Sequence, residues 1–66
     1  MQLTELVTQR ITERTGRRVR NLVVEIEADS VVLRGHTNSF HVKQLAQQSV
    51  RETLPHFQLK NAIVVD

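Results

Sequence analysis

The 66-residue sequence contains no cysteine, no tryptophan and no tyrosine, and it has only one proline and two glycines. The lack of cysteine excludes disulfide bonds, cysteine-ligated zinc and a thiol nucleophile. No apolar run approaches the roughly 18 residues of a transmembrane helix, and the N-terminal MQLTELVTQR lacks the basic-then-apolar order of a signal peptide. For the chain as given we therefore expect a cytoplasmic protein with no membrane span.

The excess of basic over acidic residues is small, but the charges are unevenly placed along the chain. Nine basic and seven acidic residues give a net charge of +2, a weaker excess than dedicated nucleic-acid binders usually carry. Four of the nine cations fall in one short segment, namely Arg14, Arg17, Arg18 and Arg20. The acidic residues Glu25, Glu27 and Asp29 follow just downstream, so the two signs are segregated along the chain.

Hydrophobic periodicity predicts five elements in the order helix, strand, strand, helix, strand. Apolar residues recur at helical spacing over residues 3–15 and about 39–54, with Gly16 as a left-handed C-cap of the first helix and Asn38-Ser39 as an N-cap signal for the second. Residues 19–27, 31–37 and 57–65 alternate as half-buried strands do. We expect one domain, residues 1–66, with an α+β fold: a two-layer sandwich of two helices on one face of a three-stranded sheet, its strand order left open.

A predicted hairpin brings separate polar residues to one edge of this sheet. The short turn Ala28–Ser30 favours antiparallel pairing of the first two strands, which brings Arg20 beside His36. The second helix begins at the same edge, and its free N–H groups favour anions. We therefore predict an anion or lipid-headgroup site, called the basic edge, made of Arg17, Arg18, Arg20, His36, Asn38 and Ser39. The alternative is a solvated arginine-rich loop that caps the first helix.

The helix-free side of the sheet, called the open face, is the second candidate surface. Alternation places Val23, Val32, Ala62 and Val64 there, among charged and polar side chains. A contiguous apolar patch would indicate self-association or a protein partner, whereas single exposed valines are ordinary in strands. Gly35, inside the second strand, indicates either a bulge or a helix that approaches the backbone closely.

Short motifs along residues 23–65 resemble the BON domain, the bacterial osmotic-stress and nodulation module. They are Val31-Val32-Leu33-Arg34-Gly35, Ser39, Lys43, Ala46 and Asn61-Ala62-Ile63-Val64-Val65. Asp29-Ser30 stands where that family commonly turns through a glycine. The resemblance implies a non-catalytic module that binds phospholipid surfaces or proteins, periplasmic or membrane-associated if it belongs to a longer protein. It identifies no catalytic residue.

Other chemistry is disfavoured by the residues themselves. His36, His41 and His56 lack metal-ligand spacing, and we expect no enzyme activity, no metal and no cofactor. Nucleic acid is disfavoured because no GxxG clamp is present and both phenylalanines are expected in the core, which leaves no base-stacking platform. The preferred prediction is a module that binds an anionic phospholipid surface or a protein. The alternatives are a protein-interaction or dimerisation module without lipid binding, and a weak binder of nucleic-acid backbones.

Overall fold

The computed structural model describes residues 2–66 and contains the five predicted elements in the predicted order. These are α1 (Leu3–Thr15), β1 (Arg20–Glu27), β2 (Ser30–Thr37), α2 (Phe40–Thr53) and β3 (Gln58–Val65). Each bound lies within one residue of its predicted position. The α+β prediction is therefore confirmed.

The end of α1 is fixed by its backbone. Gly16 adopts a left-handed conformation with φ 63°, and its N–H donates to the Glu13 carbonyl. The next N–H, that of Arg17, donates to the Thr12 carbonyl at 3.0 Å. These two bonds form a Schellman cap, so the predicted C-cap is confirmed.

The strand order, which periodicity left open, is β1-β2-β3. β1 and β2 pair antiparallel, from Glu27 opposite Ser30 to Arg20 opposite His36. β2 and β3 pair in parallel, and Thr37 at the end of β2 lies opposite Val65. The sheet is mixed, with β2 in the centre.

A β-bulge interrupts β1 near its start. The register shifts after Arg20, and Asn21 takes a left-handed φ of 55°. Gly35 lies across from this bulge, where a Cβ would come within 2.8 Å of Val19 Cγ1 and 3.0 Å of the Arg20 carbonyl oxygen. The structure thus has a bulge opposite Gly35, and the atoms nearest to an added Cβ belong to β1 and to Val19 just before it.

One core lies between the sheet and the helices. Its buried apolar residues come from all five elements: Val7, Ile11, Val24, Val31, Leu33, Ala46, Val50 and Ile63. Phe57 packs against this cluster from the loop before β3, as predicted. Thr37 is also fully buried, and its Oγ1 has no hydrogen-bond partner among the described residues.

On the outer edge of β3, the side chain of Asn61 accepts an N–H group of its own strand. At both ends of β3 the N–H groups of Gln58 and Asp66 donate inwards, to the side of β2, at 2.8 Å. Alternation then directs the N–H of odd-numbered residues outwards. That of Ile63 donates to Asn61 Oδ1 at 3.2 Å, and Asn61 Nδ2 donates to the Lys43 carbonyl of α2 at 3.0 Å.

Candidate functional site

The basic edge forms where β1 begins and β2 ends. Arg20 lies directly opposite His36 in the ladder, as the hairpin predicted. The loop that follows α1 supplies Arg17 and Arg18, and α2 starts three residues after the end of β2. The topology therefore brings residues from two connections and two strands to one end of the sheet.

Arg17 and Arg18 are the least neutralised cations of this edge. Both residues are exposed, and neither forms an ion pair within residues 2–66. Arg17 follows the C-cap glycine with a left-handed φ of 62° and uses its backbone N–H in the cap. The backbone of this loop is thus fixed by α1 while two positive side chains face water.

Asp66 is a member of the basic edge that sequence reasoning missed. Its carboxylate forms an ion pair with the Arg20 guanidinium, and Asp66 Oδ1 lies 3.6 Å from His36 Nδ1. The hydrogen bond from Arg20 holds the pKa of the Asp66 carboxyl below its usual value. Arg20 and His36 therefore face a negative partner, and most of the unpaired positive charge comes from the loop arginines.

The start of α2 contributes to the basic edge through the N–H groups and the dipole of its N-terminus. Ser39 is the predicted N-cap, and its Oγ accepts the N–H of Val42 at 3.3 Å. Asn38 beside it is exposed. The first turn of α2 contains no acidic residue, so nothing there offsets the positive end of the helix dipole.

Phe40, the first residue of α2, is 61% exposed, which corrects the expectation that both phenylalanines lie in the core. The cause is helical geometry. The buried stripe of α2 begins at Val42, and two residues of helix correspond to a rotation of about 200°. Phe40 therefore points away from the sheet.

On the open face, apolar residues alternate with charged and polar ones. Val23 and Val64 are 48% and 50% exposed, whereas Val32 and Ala62 are half-buried. Each lies across from a charged or polar residue: Arg34 stands between Val23 and Ala62, Val32 stands between Glu25 and Lys60, and Val64 pairs with His36. An ion pair of 2.7 Å between Arg34 and Glu25 crosses the face.

Two cavities open to solvent lie away from the basic edge. One, of about 280 Å³, lies between the helices where Arg14 of α1 pairs with Glu52 of α2 at 2.7 Å. The other, of about 250 Å³, lies beside the first residues of β2 and β3. Within residues 2–66, no group of three or more histidine, cysteine or acidic side chains is placed to hold a metal ion.

No helix within residues 2–66 is long and apolar enough to cross a membrane. Comparison of the chain with protein-family models, with curated proteins and with solved structures finds no match.

Proposed function

We propose that this chain is a non-catalytic binding module whose basic edge contacts an anionic phospholipid surface. The observation that carries the proposal is the pair Arg17 and Arg18, two exposed cations outside any ion pair of the described residues. Each cation near an anionic bilayer contributes about 1 kcal/mol of attraction. The unopposed N-terminus of α2 adds positive potential at the same end of the molecule.

The resemblance to BON domains supports the same class of function, because it implies a phospholipid- or protein-binding module. The opposite end of the sheet carries the reverse charge, with Glu27 and Asp29 exposed at the β1–β2 turn. A negative surface therefore attracts one end of the domain and repels the other, which favours a single orientation.

A protein-interaction or dimerisation module is the second candidate, and the exposure of Val23 and Val64 favours it. The Arg34–Glu25 ion pair counts against a dry interface on this face, because charged residues are depleted from interface cores. We therefore rank it below the lipid surface.

The test is co-sedimentation with vesicles of phosphatidylcholine alone and of phosphatidylcholine with phosphatidylglycerol, at low salt. The double variant Arg17→Glu/Arg18→Glu should lose at least tenfold in affinity for the anionic vesicles. Its thermal midpoint should stay close to that of the unmodified chain, because exposed charges contribute within about 0.5 kcal/mol. A matched control is Arg51→Glu/Lys60→Glu, which makes the same change in net charge, from +2 to −2, at exposed residues outside the basic edge.

Equal binding by the two double variants would contradict the basic edge, because only total charge would then matter. Loss of self-association or partner binding in Val23→Lys/Val64→Lys, with vesicle binding absent throughout, would favour the open face instead. Binding to DNA and RNA that falls steeply with salt, again without vesicle binding, would favour the nucleic-acid alternative.

A further inference from the structure

We infer that Phe40 is a bilayer anchor, an aromatic side chain that enters the acyl boundary when the basic edge meets an anionic phospholipid surface. The inference rests on the proposed function and deepens it, because it assigns the residue that would convert electrostatic attraction into insertion. It starts from the 61% exposure of a phenylalanine, a large apolar side chain that gains by leaving water.

Phe40 is accompanied by other exposed apolar residues at the same end of the fold. Val64 and Val65 are 50% and 39% exposed and close β3, where their ladder partners are His36 and Thr37. Phe40 follows Thr37 by three residues. The chain thus gathers three of the five large exposed hydrophobic residues of its described part where β2 and β3 end and α2 begins.

The position of Phe40 is fixed before any surface is met. Ser39, just before Phe40, caps the first turn of α2 through its side chain. Val42, two residues after Phe40, is fully buried in the core. The backbone that carries Phe40 is therefore ordered, so insertion costs little additional backbone entropy.

The positive charge beside Phe40 favours an anionic bilayer as its partner over an uncharged apolar surface. The apolar end adjoins the basic edge, in which Arg17 and Arg18 are unpaired within residues 2–66. Stable attachment to a membrane commonly requires two signals, a hydrophobic insertion and a cluster of cations. This end of the domain presents both.

The chain offers a direct optical test because it contains no tryptophan and no tyrosine. Phe40→Trp places a single fluorophore at the anchor. With phosphatidylcholine–phosphatidylglycerol vesicles its emission should shift to the blue and be quenched by brominated acyl chains, and with phosphatidylcholine alone it should not. The control is Gln58→Trp, an exposed position at the opposite end of β3, whose emission should stay unchanged.

Affinity supplies the second measurement. Phe40→Ala should weaken binding to the anionic vesicles about tenfold, whereas Phe40→Leu should retain most of it, because burial of apolar area is what is lost. Both variants should keep the circular dichroism and thermal midpoint of the unmodified chain, since the side chain lies outside the core.

The outcomes separate this inference from the proposed function. Undiminished vesicle binding by Phe40→Ala, with unshifted emission of Phe40→Trp, would overturn the anchor and leave the basic edge in place. Failure of the unmodified chain to bind anionic vesicles would overturn both. The emission of Phe40→Trp could instead shift to the blue without vesicles and follow dimer formation, or be quenched by oligonucleotides alone. Either result would assign Phe40 to another partner and also overturn the anchor.

Discussion

At the scale of single residues, the hydroxyl of Thr37 differs from those of four threonines in the helices. Thr8, Thr12, Thr15 and Thr53 each donate to the carbonyl four residues earlier, at 2.7–2.9 Å. A strand offers no carbonyl at that spacing, and Thr37 Oγ1 is buried without a partner among the described residues. An unpaired buried hydroxyl costs free energy, so this position is a weakness of the fold.

We expect Thr37→Val to raise the free energy of unfolding by about 1 kcal/mol, because it removes the unpaired hydroxyl while keeping a β-branched side chain. Urea titration followed by circular dichroism measures the change. Thr15→Val is the matched control: its hydroxyl is buried but bonded to the Ile11 carbonyl at 2.7 Å, so this variant should gain nothing and lose up to about 1 kcal/mol. A midpoint for Thr37→Val at or below that of the unmodified chain would show that the hydroxyl is satisfied in solution.

The contacts of the basic edge show which parts of the site could be predicted from the sequence and which could not. Arg20 beside His36 could be predicted, because a hairpin sets the register of nearby residues. Asp66 could not, because its contact with Arg20 spans 46 residues and requires β3 to lie parallel to β2. The exposure of Phe40 was predictable in principle, since counting back two residues from the buried Val42 turns it outwards.

At the scale of elements, the bulge in β1 determines what β2 can carry. A Cβ on Gly35 would meet the Arg20 carbonyl oxygen at 3.0 Å, and backbone cannot move aside as a flexible side chain can. The φ of Gly35, 154°, is also unfavourable for residues with a side chain. The glycine therefore serves the β1–β2 pairing.

We expect Gly35→Ala to lower the free energy of unfolding by about 2–4 kcal/mol, through backbone strain together with the close approach of β1. Chemical denaturation measures the loss. The control Gly16→Ala has a φ of 63°, but its added Cβ would meet only the Arg18 side chain, in an ordinary contact of 3.8 Å with Nε, so it should cost about 1–2 kcal/mol, from backbone strain alone. Equal losses in the two variants would mean that close approach to β1 contributes nothing.

The elements themselves were predictable because their signals are local. Periodicity, the Gly16 cap and the Ser39 cap each act within a few residues, and all three agree with the structure. Strand order and the position of the bulge in β1 were not predictable in the same way. They depend on how β1 and β3 pack beside β2, which is decided by contacts between distant parts of the chain.

At the scale of the whole molecule, one core supports everything else. Leu33 of β2 and Ile63 of β3 are among its largest fully buried side chains. We expect Leu33→Ala or Ile63→Ala to cost about 2–4 kcal/mol, which is most of the stability of a domain this small. Thermal or urea unfolding measures the loss, and Leu3→Ala, at a 41% exposed position, is the control that should cost far less. Unchanged midpoints for both core variants would contradict the assignment of this core.

The asparagine at the outer edge of β3 has a consequence for how the protein behaves in a crowded solution. Free strand edges act as templates on which other chains add strands and build fibrils. Here Asn61 occupies the outward N–H of Ile63, and on the far side of the sheet the bulge distorts β1. Strand addition at either edge would have to displace these features. Both features therefore oppose edge-to-edge pairing at the places where they occur, in a domain that also exposes valines and a phenylalanine.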